Sequence, residues 1–163
     1  MLRRRRYSAP EAAGDDDLVA TKAGAPDIRV VFVEKTFGIK AIRDLQGRLS
    51  TSQCRHLLVV HNQPITSFAK KEVVEMQKKD GMVVETFATD DLQFDLTSHV
   101  LVPRHTVVKP AHVASMGASP EDLPVLLASD PVARWHHWGP GTVVRVRLTN
   151  PEGHEYDEYR RVA

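Results

Sequence analysis

Ile28-Arg29-Val30-Val31-Phe32-Val33 decides how the first half of this chain folds. Apart from Arg29 the run is apolar and mostly β-branched, so it reads as a buried strand. Downstream, Ile39, Ile42, Leu45 and Leu49 recur at helical spacing within Gly38 to Leu49 and predict an amphipathic helix. Leu57-Leu58-Val59-Val60 predicts a second strand. Thr66 or Ser67 can cap a second helix, which runs to about Lys79 and stops at Asp80-Gly81, where glycine suits the left-handed cap. Met82 to Phe87 predicts a third strand. The order β-α-β-α-β predicts a small, mostly parallel three-stranded sheet with crossover helices over residues 28–95.

After about residue 96 the pattern changes, with prolines at 103, 110, 120, 124, 131, 140 and 151 breaking the chain into short pieces. Asp130-Pro131 predicts a helix start, with Asp as the cap and Pro in the first turn. That helix is brief, because Gly139-Pro140-Gly141 follows. From Thr142 to Leu148 the chain alternates, with Val144, Val146 and Leu148 on one face and Val143, Arg145 and Arg147 on the other. Asn150-Pro151-Glu152-Gly153 is a turn signal, and Tyr156 to Val162 returns as the partner strand of a hairpin. The fold class expected for the whole chain is therefore α/β (α+β), with a three-stranded domain followed by a compact mixed module over 96–163.

Composition bounds the function. The 163 residues are 42% hydrophobic and carry a net charge of +1. Residues 1–26 hold Arg3, Arg4, Arg5, Arg6 and Lys22 against Glu11, Asp15, Asp16 and Asp17, and this small, polar, charge-blocked segment is expected to be a disordered tail. Its arginine block has the composition of a nuclear-import signal or a phosphate contact, and equally that of an unstructured tail. Residues 27–163 carry 17 charges of each sign, which argues against a free-standing electrostatic nucleic-acid binder. No apolar run approaches the ~20 residues needed to span a bilayer, and no apolar leader core follows the N-terminal arginines. Cys54 is the single cysteine, so no internal disulfide is expected and a reducing compartment fits.

Four blocks in the second half carry a family resemblance. His99-Val100-Leu101-Val102-Pro103-Arg104-His105 resembles an H-x-L-V-P-x-H signature. Leu123-Pro124 with Ser129-Asp130-Pro131-Val132-Ala133-Arg134-Trp135 resembles an L-P…S-D-P block. Gly139-Pro140-Gly141-Thr142-Val143-Val144-Arg145 and Tyr159-Arg160-Arg161-Val162 are similar to the family's glycine-led V-V-[KR] stretch and its terminal Y-R-x-V. The family is the small shared subunit of nuclear RNA polymerases, the fifth shared subunit of eukaryotes together with its small archaeal counterpart. Residues 28–95 resemble, more weakly, the second half of its eukaryotic jaw, a truncated nuclease-like α/β domain. Ile65-Thr66-Ser67-Phe68-Ala69 is similar to a family stretch in which proline stands where Ser67 does. The jaw's early helices find no counterpart, and archaeal members lack the jaw.

The resemblance implies a nuclear, non-catalytic subunit of a DNA-directed RNA polymerase, without metal or cofactor, in contact with the largest subunit and other polymerase subunits. The reduced jaw then lies near downstream duplex DNA, with Thr66, Ser67, Lys70 and Lys71 as the phosphate-proximal residues. The bland alternative for this helix is an ordinary solvated face of Lys71, Glu75, Lys78 and Lys79. Trp138, Arg134, Arg145, Arg147 and Tyr159 are the candidate subunit-interface residues, Trp and Arg being enriched at interface hot spots. Trp135 reads as core. His99, Pro103, His105, Asp130, Pro131 and Gly141 are expected to be structural, with the two histidines bonding the turn around Pro103. The shortened jaw suggests a paralogue devoted to one polymerase class. The alternative is a free-standing interaction protein or regulator that uses the same module to bind polymerase.

Catalytic readings find no support. His99, His105 and His112 are six and seven residues apart, without the H-x-x-x-H spacing of a helical metal site. Within residues 28–95 no Asp or Glu precedes a Lys by two positions, and Glu34-Lys35 are adjacent, so the Asp/Glu-x-Lys element of a metal-dependent nuclease is missing. Nor is there a nucleophile elbow, a Walker-type loop or a dinucleotide-binding G-x-G-x-x-G.

Overall fold

The computed structural model describes residues 1–13, 17–34, 36–50 and 54–163. Asp15, Asp16 and Lys35 lie outside the described residues, as do the side chains of Ile39 and Leu49 from the expected helical stripe. The chain is α+β and divides into two compact units, Leu2–Phe94 and Asp95–Ala163.

The first unit is one five-stranded sheet in the order β1-β2-β3-β4-β5. Its strands are β1 (Glu11–Ala12), β2 (Asp17–Ala20), β3 (Ile28–Val33), β4 (His56–His61) and β5 (Val83–Ala88). Helix α1 (Ile39–Ser50) links β3 to β4, and α2 (Ser67–Asp80) links β4 to β5. The pairs β3–β4 and β4–β5 are parallel, as crossover helices require. Val31, Leu57, Val59 and Val84 point to one face, where they form a core with Phe37, Ile42 and Leu45 and with Ala69 and Met76 of α2. Ile28, Val30, Leu58, Val60 and Phe87 have the opposite parity and are buried as well. Phe32 departs from the expected two-sided burial, being 47% exposed at the C-terminal end of β3.

The expectation of a disordered tail over 1–26 is corrected by the structure. Strand β2 pairs antiparallel with β3, from Asp17 opposite Val31 to Ala20 opposite Ile28, and β1 adds outside it. The sheet therefore has five strands where three were expected. Asp17 is buried, with Arg29 at 3.8 Å. Arg5, read as part of a free arginine block, is also buried. Its guanidinium meets Glu85 with two bonds, Nη1 to Oε1 at 2.6 Å and Nη2 to Oε2 at 2.8 Å. The His56 ring nitrogen Nε2 shares Oε1 at 2.6 Å. Glu85 and His56 lie on the sheet face away from the helices, so this contact anchors the N-terminal segment across that face.

The second unit is a four-stranded sheet in the order β6-β8-β9-β7, made of β6 (Arg104–Val108), β7 (Val125–Leu126), β8 (Val143–Thr149) and β9 (Glu155–Val162). Two short helices, α3 (Pro110–Ser115) and α4 (Pro131–His136), complete it. The β8–β9 hairpin closes through Asn150–Gly153, where Gly153 has φ 86° and donates to the Asn150 carbonyl at 2.9 Å. Val144 and Val146 pack with Leu126, Ala133 and Val162, and Leu148 and Trp138 join them half-buried. Val143, on the other face, is just as buried. Helix α3 lies on that face too, its His112 ring 5.8 Å from that of Tyr159.

Asp130 caps α4, its Oδ1 accepting from the Val132 N–H at 2.8 Å, with Pro131 in the first turn. The helix ends in a Schellman arrangement. His137 N–H donates to the Arg134 carbonyl at 3.0 Å and Trp138 N–H to the Ala133 carbonyl at 2.9 Å. His137 (φ 56°) takes the left-handed position that glycine usually fills.

Removing Arg5 takes both guanidinium bonds from the largely buried Glu85 carboxylate, to which the His56 ring stays bonded. Arg5→Ala is therefore expected to lower the unfolding free energy by about 3 kcal/mol in denaturant titrations. Asp130→Ala, which removes only a cap, costs about 1 kcal/mol in the same assay.

Candidate functional site

The tip of α2 is built by its cap. Thr66 has extended backbone angles and its Oγ1 accepts from the Ala69 N–H at 3.2 Å. Of the two expected caps, Thr66 serves, and Ser67 is the first helical residue. Thr66, Ser67, Lys70 and Lys71 are all exposed, and the first turn holds no acidic residue. Lys70 and Lys71 have no ion-pair partner among the described residues, whereas Lys78 and Glu75 pair at 3.7 Å farther along the helix. The solvated ion-paired face thus belongs to the later turns and leaves the tip basic. Phe68, not singled out from sequence, is 65% exposed there.

In the second unit, strand pairing sorts the expected interface residues onto two faces of one sheet. Arg145 stands opposite Tyr159 and Arg147 opposite Asp157. These side chains share a face with Val143. Arg147 grips Asp157 with two bonds, Nε to Oδ1 at 2.9 Å and Nη2 to Oδ2 at 3.2 Å. Arg145 reaches the same carboxylate at 3.6 Å, and Glu155 lies 3.7 Å from Arg147. The Arg147 hydrogen bonds hold the Asp157 carboxyl below the ordinary aspartate range and raise the guanidinium in turn.

Trp138 belongs to the other face. It stacks on His136 with ring centroids 4.5 Å apart and planes 9° from parallel, and His105 lies 6.3 Å away. Trp135 is buried. Arg134 is half-buried on α4. The sheet thus brings Arg145, Arg147 and Tyr159 together and leaves Trp138 apart from them.

The histidine signature forms one turn. Leu101 N–H donates to His99 Nδ1 at 3.2 Å, Val102 N–H donates to the His99 carbonyl at 2.9 Å, and His105 Nδ1 meets the Pro103 carbonyl at 2.6 Å. His112 instead meets the Tyr159 hydroxyl at 3.2 Å, so the three histidines serve three separate contacts. Gly141 (φ 85°) donates to the Val162 carbonyl at 2.9 Å and ties the Gly139–Gly141 turn to β9. The turn at His99 presents Val100 and Leu101 almost fully, at 92% and 82% exposure. Sequence reasoning passed over this pair, although it sits inside the histidine signature. The available signal was two apolar residues between a histidine and a proline, with no periodic partner to bury them.

Since Asp157 is charged only above its lowered pKa, its pairing with Arg147 is present at neutral pH and disappears as pH falls through the folded-state value. Carboxyl NMR titration should place Asp157 below the ordinary aspartate range, and Arg147→Ala should move it back up.

Comparison with known proteins agrees with this construction. The family described as RNA polymerase Rpb5, C-terminal domain, matches residues 94–162. A Metallosphaera sedula protein named DNA-directed RNA polymerase subunit Rpo5 is 36% identical over 74 residues, covering 43% of this chain and 89% of the relative. The Dictyostelium discoideum subunit rpabc1 of DNA-directed RNA polymerases I, II and III is 27% identical over 127 residues, 76% of this chain and 64% of the relative. Its Caenorhabditis elegans counterpart, RPABC1, is 28% identical over 151 residues, 89% of this chain and 71% of the relative. The chain thus spans somewhat under two thirds of the Dictyostelium protein and nearly all of the archaeal one. On the archaeal match, and on the four sequence blocks that build the second unit, this chain belongs to the Rpb5/Rpo5 family of RNA polymerase subunits.

Proposed function

We propose that this chain is a non-catalytic subunit of a DNA-directed RNA polymerase in the nucleus. The unit Asp95–Ala163 docks on other polymerase subunits, the largest among them, and Leu2–Phe94 forms a reduced lower jaw beside downstream DNA. One observation carries the reading: the family match over residues 94–162 coincides with a compact unit of its own. A match of 74 residues of this chain takes in 89% of a Metallosphaera protein named as a polymerase subunit. A module that is nearly a whole subunit elsewhere contains what assembly needs. The N-terminal unit is then an addition to it, with inactive nuclease-like ancestry, and the chain is a form devoted to one polymerase class.

The jaw role is supported by the tip of α2. Thr66 satisfies the Ala69 N–H and leaves those of Ser67 and Phe68 facing outward at the positive end of the helix dipole. With Lys70 and Lys71 beside them, these groups suit a backbone phosphate and read no base sequence.

Affinity purification of the tagged chain from nuclear extract, with quantitative mass spectrometry, tests the assembly role. Equimolar recovery with the two largest polymerase subunits is expected, and the largest subunit recovered identifies the polymerase class. Recovery alone or with trace polymerase would leave a free-standing interaction protein instead. For the jaw, Lys70→Glu with Lys71→Glu should leave stoichiometry unchanged. The salt slope of downstream-duplex binding should fall by about 2, since each phosphate that a lysine neutralises adds about 0.9 to that slope.

A further inference from the structure

Arg104 opens β6 directly across from Arg147 of β8. Like charges at directly opposed sheet positions repel. Arg147 is neutralised by Asp157 and Glu155, and Arg145 draws on Asp157 as well. Arg104 is exposed and has no ion-pair partner among the described residues. Its face therefore carries Arg104, Arg145, Arg147 and Arg161 against Asp157 and Glu155. Arg161 stands away from β6 on β9, where its Nε donates to the Pro120 carbonyl at 3.1 Å, so at the β6 edge the excess positive charge falls on Arg104.

The strand that bears Arg104 ends the sheet. No described strand pairs with the outer edge of β6, so alternate N–H and C=O groups of Arg104–Val108 point away from β8. Such an edge is a template for pairing with another chain, and a charge placed on it often serves as a guard. A guard would explain Arg104 alone. It does not explain Val107, which lies on the same edge with the opposite parity and is 51% exposed. Just ahead of the strand, the His99-bonded turn holds out Val100 and Leu101. Backbone groups, a valine on one face and an uncompensated arginine on the other form the pattern that strand addition uses, with affinity from the main chain and selection from alternate side chains.

We propose that the outer edge of β6 is the docking strand of this module, receiving an extended acidic segment of another polymerase subunit. The incoming strand places an Asp or Glu over Arg104 and an apolar side chain over Val107. These two residues stand three positions apart, because the period of two then puts them on opposite faces. Charge complementarity selects the occupant, since an acidic residue at that position offsets the Arg104–Arg147 repulsion. The inference rests on the assembly role proposed above and adds the surface and the partner's chemistry.

The test uses the full tagged chain with the native polymerase, comparing wild type, Arg104→Glu and Arg104→Lys, together with a photo-cross-linking residue at Thr106. Arg104→Glu should lower co-recovery of the largest subunits about tenfold, while Arg104→Lys stays near wild type. The melting temperature of the free Arg104→Glu chain should hold or rise, because glutamate opposite Arg147 replaces repulsion with attraction. The cross-linked peptide should belong to a polymerase subunit and carry an acidic residue three positions from an apolar one. Unchanged recovery of Arg104→Glu with polymerase overturns the inference and spares the assembly role. So does a Thr106 cross-link to nucleic acid, to a second copy of this chain or to a segment without an acidic residue. Failure of the wild type to recover polymerase overturns the assembly role itself.

Discussion

Side chains on a β-strand alternate between faces, and in the β8–β9 hairpin this constraint determines what the rest of the second unit can do. Once Val144, Val146 and Val162 are committed to the core with Leu126 and Ala133, Arg145, Arg147, Asp157 and Tyr159 must share the other face. The short helices follow from that division. Helix α4, fixed at its start by Asp130 and at its end by the left-handed His137, contributes Ala133 to one side. On the other side, α3 sets His112 against Tyr159. A register slip of one residue would exchange the two faces and bury the arginines.

The first unit solves its packing differently. A parallel sheet is buried on both faces, and its helices cover only one. The anchoring of residues 2–8 through Arg5 on Glu85 brings the N-terminal segment to the other face, and β2 extends the sheet beyond β3. The charge-rich N-terminus is thus structural in part.

How much was legible in the sequence follows from these packing rules. The parallel core of β3, β4 and β5 with two helices was readable, because β-branched runs separated by helical spacing admit few other arrangements. The hairpin was readable from its alternation and the Asn150–Gly153 turn. The Thr66 and Asp130 caps were visible as short polar residues ahead of helical starts. Strand β2 was hidden, since Leu18-Val19-Ala20 is too short to stand out beside an arginine block and an acidic block. β6 and β7 were hidden for a related reason. Arg104–Val108 mixes polar and apolar residues, and Val125–Leu126 is a strand only because β9 lies beside it. The division of Trp138 from Arg145 and Arg147 was beyond sequence reading, because it depends on which face α4 covers.

The central claim is that the second unit makes the contact with polymerase. Hydrogen–deuterium exchange tests it most directly, comparing backbone amides of the chain alone with those of the chain in purified polymerase. Protection gained on assembly should concentrate in Asp95–Ala163, with only local change across the sheet of Leu2–Phe94. Protection confined to the first unit, with the second unit exchanging as it does in the free chain, would contradict the account.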